Sequence, residues 1–147
     1  MKYLIQILVV CLVISLSATY AQGNFGVGII VGEPTGLSAK VWTSGSTAFD
    51  AAVAWSFANE GALHIHADYL WHNFNAFSQA VPLYYGIGGR IKFRSDDVRL
   101  GVRIPVGVAY KIPSSPLDIF LEIVPLLNLT PSTSFTLNAA IGARFYF

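Results

Sequence analysis

The feature that most constrains this chain is a period-two alternation of apolar and non-apolar side chains, kept through eight successive runs. The runs span residues 24–33, 36–43, 48–57, 62–72, 83–93, 98–112, 117–129 and 135–147. Successive side chains of a strand point to opposite faces, so each run sorts its residues onto the two sides of a sheet. Turn-forming stretches divide them, among them Glu33-Pro34-Thr35-Gly36, Ser44-Gly45-Ser46, Arg94-Ser95-Asp96-Asp97 and Pro113-Ser114-Ser115-Pro116. The longest divider, Asn73 to Pro82, is expected to form an extended turn that lays Phe74 and Phe77 along an interface.

The two faces differ in kind. One collects Ile29, Val31, Leu37, Val53, Ile87, Leu100, Ile119, Leu121, Ile123 and Leu137 with many aromatics, and carries no charge. The other holds Lys40, Asp50, Asp68, Arg90, Lys92, Arg99, Arg103, Lys111, Asp118, Glu122 and Arg144. Alternation alone does not say which face is inside, and an apolar-in soluble barrel is the competing arrangement. Three features oppose it. The charged face also carries Gly26, Gly28, Ala52, Ala54, Gly86, Gly88 and Gly142, which suit a crowded lumen better than a solvated exterior. The aromatics sort by height, with Phe25, Phe49, Tyr69, Trp71, Tyr85 and Tyr110 near one rim and Trp55, Phe57, Phe93 and Phe135 near the other. Aromatic girdles around an aliphatic band are what two membrane–water interfaces select. Finally, tilted strands of this length span roughly 25 Å, the height of a membrane-facing band.

Composition agrees: 54% of residues are hydrophobic, 12% are charged and mean hydropathy is +0.55. The expectation is an all-β fold, an eight-stranded antiparallel up-and-down transmembrane β-barrel. Lipid offers backbone amides no partner, so the last strand must pair with the first.

The start of the chain reads as a secretory leader. Met1-Lys2-Tyr3 is followed by an apolar stretch from Leu4 to Leu16 and then by small residues up to Ala21. A cleaved signal peptide over residues 1–21 is expected, with cleavage after Gly23 as the other possibility, and the barrel then occupies 22–147. The only cysteine, Cys11, falls in this leader, which excludes a disulfide framework and a cysteine-based zinc site. A net charge of +1 gives no basic excess for nucleic acid.

Charges inside a narrow barrel need partners. The lumenal cations Lys40, Arg90, Lys92, Arg99, Arg103, Lys111 and Arg144 outnumber the anions Asp50, Asp68, Asp118 and Glu122, so arginine–carboxylate pairing is expected near mid-height, with Asp68 and Glu122 as hubs and spare cations toward the ends. His64, His66 and Asp68 share one face of the fourth strand, with His72 further on, and an alternate-residue histidine pair can supply two metal ligands. The plainer reading makes them lumenal hydrogen-bonding groups satisfied by Arg90, Lys92 or water. No cofactor is expected, and Ser38 and Ser56 face the lumen, where they cannot act on lipid. The reading is a non-catalytic integral barrel with a side-chain-filled lumen and a structural or surface-interaction role. The alternatives are a narrow anion-preferring channel lined by Arg90, Lys92, Arg103 and Arg144, and a lipid-modifying enzyme.

The last strand, Ala139-Ala140-Ile141-Gly142-Ala143-Arg144-Phe145-Tyr146-Phe147, ends on an aromatic. With the leader and the eight runs, it resembles the small bacterial outer-membrane barrels of OmpA and OmpX architecture. The resemblance implies residence in the outer membrane, outer-membrane lipid as surroundings, and periplasmic chaperones and the barrel-assembly machinery as partners in biogenesis. It also implies that Phe147, with Phe145 and Ile141 behind it, is the assembly signal. The segments Gly32 to Ser38, Gly101 to Gly107 and Phe120 to Pro125 resemble a family of uncharacterised outer-membrane β-barrels, which implies a compartment and a fold but no reaction.

Overall fold

The computed structural model describes residues 23–56, 62–130 and 132–147. The expected leader and Phe57 of the expected girdle lie outside them. Among the described residues nine strands follow in order: β1 Phe25–Gly32, β2 Thr35–Trp42, β3 Thr47–Ser56, β4 Ala62–Ser78, β5 Val81–Phe93, β6 Val98–Arg103, β7 Val106–Lys111, β8 Leu117–Asn128 and β9 Ser134–Tyr146. All pair antiparallel in one sheet, each with its chain neighbours except that β6 and β7 both pair with β5 and β8 and not with each other, and β1 closes on β9 from Gly26↔Tyr146 to Gly32↔Ala140. The result is a closed barrel without a free edge.

Nine strands build eight staves, because β6 and β7 are halves of one. Both keep the same register against β5 and against β8, and the gap between them is Ile104-Pro105. Gly86 N donates to Pro105 O at 2.9 Å and Ile104 N donates to Pro125 O at 3.0 Å. Neither proline has an N–H for the reciprocal bond, so the ladder thins on both sides of this stave. The alternation in residues 98–112 passes through this break without a sign of it.

A larger departure concerns Asn73 to Pro82, expected as a turn. In the structure β4 runs on to Ser78, β5 begins at Val81, and only Gln79-Ala80 turn. The register slips between Asn73↔Leu83 and Ser78↔Val81, which marks a bulge. The segment is therefore a hairpin projecting beyond the rim. Phe77 on it is 66% exposed, whereas Phe74 turns in over the barrel mouth.

The stagger follows from the pairing. From Asp68, register partners run one way through Gly88, Arg103 and Leu126 to Thr136, and the other way through Asp50, Lys40 and Gly26 to Tyr146. That ten-residue displacement on β9, shared among eight staves, sets a tilt of about 40° and a backbone radius of about 8 Å. An interior that narrow is filled by its own side chains. At Gly142 a Cβ would overlap the Phe120 ring and come within 2.5 Å of Ile29 O, so the absence of a side chain there is what admits Phe120. Gly142→Ala is expected to lose about 1–3 kcal/mol of stability through overpacking. Gly45→Ala, with nothing within 4 Å, should stay within about 0.5 kcal/mol of the parent. Urea unfolding of the two variants in lipid vesicles checks the contrast.

Candidate functional site

The outer surface of the staves is apolar. Ile29, Leu37, Ile87, Leu121, Ile123, Leu137 and Ile141 are each about half exposed or more, while the charged side chains of mid-stave positions are buried. Aromatics bracket this band. At the rim that carries both ends of the barrel chain, Phe49, Tyr69 and Trp71 contact in sequence at 4.7 and 4.9 Å, and Trp71 stacks on Tyr85 at 6.1 Å. Phe147 stacks on Phe25 at 6.5 Å and meets Phe145 edge-on at 5.0 Å, and Tyr110 is exposed at the same end. Trp55, Phe93 and Phe135 are exposed at the other rim.

Inside, two ionic clusters lie at mid-height. Arg103, fully out of solvent, donates from Nε to Asp68 Oδ1 at 3.0 Å and from Nη2 to Asp68 Oδ2 at 3.2 Å. The same Nη2 lies 3.6 Å from Glu122 Oε1, and Glu122 Oε2 accepts the Tyr84 hydroxyl at 2.8 Å. Arg144 donates from Nη2 to Asp50 at 3.3 Å and from Nε to Ser38 Oγ at 2.9 Å, and its guanidinium rests 4.0 Å over the Phe120 ring. Asp50 and Asp68 are direct cross-strand neighbours. Like charges so placed repel, and each is met by its own arginine. Asp118 sits in register between Lys111 and Arg144.

The rim that carries the chain ends holds a cation–aromatic cluster. Lys40 Nζ donates to His72 Nε2 at 2.8 Å, and His72 Nδ1 donates to Ser46 O at 3.1 Å, which fixes the tautomer. Lys40 lies 4.4 Å over the Trp42 ring, and Lys111 lies 4.5 Å over Trp42 and 5.0 Å over Phe74. Parity places Trp42 on the lumenal face, and Phe74, two residues beyond lumenal His72 on β4, keeps that parity.

At the opposite mouth Arg90 Nη2 donates to Asn128 Oδ1, and Lys92 lies beside Arg99 in register. Arg99, expected in the lumen, is half-exposed at the rim with its Nε 3.8 Å from Asp97 Oδ2. It stands one residue inside the start of β6, where the tilt opens the wall to water. His64 and His66, expected to meet Arg90, Lys92 or water, share a 3.0 Å hydrogen bond with each other. Of the metal candidates, His66 and Asp68 come together and Asp50 takes the place of His64, with donor atoms of the three within 4.8 Å. Arg103 and Arg144 already hold both carboxylates, so this cluster is an ion-pair network whose cationic role is filled from within the chain.

A closed antiparallel barrel with eight staves, an uncharged belt and an ionised interior is the architecture of small outer-membrane β-barrels. Among solved structures, the chain is similar to the crystal structure of the N-terminal β-barrel domain of Pseudomonas aeruginosa OprF. The TM-score is 0.64 at 12% identity, covering 84% of this chain and 96% of that domain. At that identity the likeness is one of fold. No family model matches the sequence, and no curated protein matches it.

Proposed function

We propose that the protein is an integral barrel of the bacterial outer membrane with a closed lumen and a structural role in the envelope. In this reading, residues 1–21 direct export and are removed, residues 22–147 form the barrel, and the terminal strand with Ile141, Phe145 and Phe147 is presented to the barrel-assembly machinery after transit with periplasmic chaperones. The observation that carries the reading is the packing at mid-height. Arg103, Tyr84, Phe120, Leu70 and Leu126 are each at most 1% exposed, and they fill the lumen between the two mouths. Two connections at the mouth away from the chain ends, Glu33-Pro34 and Arg94 to Asp97, are short and offer little surface of their own for recognition. Planar-bilayer recording tests the proposal: insertion without steady conductance is expected. Steady anion-selective current that disappears on changing Arg103 would replace it with the channel reading.

A further inference from the structure

The buried charges of the lumen do not balance along its length. Among the described residues five are cationic, Lys40, Arg90, Lys92, Arg103 and Arg144, and four are anionic, Asp50, Asp68, Asp118 and Glu122. All four anions lie at mid-height or toward the rim that carries the chain ends. Arg90 and Lys92 point the other way. Each is only 6% exposed, and neither forms an ion pair with a described carboxylate.

Their surroundings are neutral donors and weak fields. Arg90 reaches Asn128, and its Nε has no hydrogen-bond partner among the described residues. Glu33 faces both cations from the β1–β2 turn. Arg99 stands next to Lys92, with Asp97 at 3.8 Å but no hydrogen bond to its Nε. Burying cations is costly unless they are compensated, and among the described residues this mouth gathers two buried cations, which share the field of Glu33, beside a third that is half-buried.

A cavity of about 150 Å³ opens at this point, lined by Arg99, Asn128, Thr130, Ser132 and Ser134. Asn128 holds Arg90 on its inner side and donates to Ser134 Oγ at 3.2 Å and Thr136 Oγ1 at 2.9 Å. Thr130 Oγ1 accepts Leu100 N at 3.1 Å, which leaves its hydroxyl proton available. With the Arg99 guanidinium and the hydroxyls on its wall, Arg90 behind Asn128 and Lys92 in register with Arg99, the cavity suits an anion with acceptor oxygens in several directions.

We propose that this mouth binds a phosphate-type oxyanion through Arg90, Lys92 and Arg99 with the Thr130, Ser132 and Ser134 hydroxyls. The site goes beyond the structural role above and stands whether or not the lumen conducts. Phe93 and Phe135 mark this rim as the level of a membrane interface, so a lipid headgroup phosphate and a free phosphate both present the right chemistry there.

Phosphorus NMR on the full barrel distinguishes the two sources. In one arm inorganic phosphate is titrated into protein folded in octyl glucoside, a phosphate-free detergent. In the other, the protein sits in phosphatidylcholine nanodiscs containing a minority of phosphatidic acid. Saturable binding is expected in at least one arm, weakened about tenfold in Lys92→Met and in Arg99→Gln, the size of one lost charge-assisted hydrogen bond. Lys111→Met, at the opposite mouth, should bind as the parent does. Strand content by circular dichroism shows that each variant is folded, and because Lys92 and Arg99 carry no buried ion pair, at least one of them is expected to fold. Binding of inorganic phosphate identifies the free anion, and binding confined to the nanodisc arm identifies a lipid phosphate. Absence of saturable binding in both arms overturns the site, as does unchanged binding in the folded Lys92 and Arg99 variants, or an equal loss in Lys111→Met.

Discussion

Replacing Arg103 by methionine is expected to lower the unfolding free energy of the barrel by about 3–5 kcal/mol, measured by urea titration in lipid vesicles. The arginine joins Asp68, at 3.0 Å, to Glu122, at 3.6 Å, in a region without solvent. Removing it leaves two carboxylates buried, of which Glu122 retains the Tyr84 hydroxyl while Asp68 faces Asp50 across the strand pair. Neutralising what is left uncovered tests the cause. A triple variant, Arg103→Met with Asp68→Asn and Glu122→Gln, should regain most of the loss, because a neutral cluster of similar shape carries no uncompensated charge. If the triple variant is as unstable as Arg103→Met alone, the arginine acts through its volume and not through its charge. Glu122→Ala should also destabilise the barrel, by a few kcal/mol, since it strips one anion from Arg103 and the acceptor from Tyr84.

Which side of the wall each charge occupies was legible from parity, because a strand has only two faces and mid-stave charges all fall on one. Lys40, Asp50, Asp68, Arg103, Asp118, Glu122 and Arg144 are all buried in the lumen. Which of them meet was not legible. Asp50 and Arg144 are 94 residues apart and Asp68 and Arg103 are 35 apart, and whether their side chains share a level depends on the stagger accumulated over several hairpins. No single run carries that quantity. Parity also loses force where staves leave the apolar belt. Arg99 has the parity of the lumen but stands at the mouth, and the stretch from Asn73 to Ser78 pairs as strand with both faces outside the belt, so nothing selects alternation there. The break at Pro105 is a loss of hydrogen-bond donors, to which hydropathy is blind.

The arrangement of faces makes a second prediction of similar size, and it depends on height. Leu121 lies on the outer surface of β8, 54% exposed, between Val108 and Ile141 of the adjoining staves. Leu121→Arg is expected to cost about 2–4 kcal/mol of folding free energy in vesicles, the penalty for a guanidinium near the bilayer midplane. Phe135 is more exposed, at 70%, and opens β9 at the rim opposite the chain ends, so Phe135→Arg should cost only about 0–1 kcal/mol, where the side chain reaches the interface. A soluble barrel would show no such gradient, because exposed arginines at any height of a solvated wall change stability by about 0.5 kcal/mol or less. The comparison separates lipid from water as the outer medium: a strong loss at Leu121 with near-neutrality at Phe135 requires an apolar layer around the middle of the staves. Equal and small effects at both positions would put water against that surface, and the ionic lumen would then line a soluble barrel.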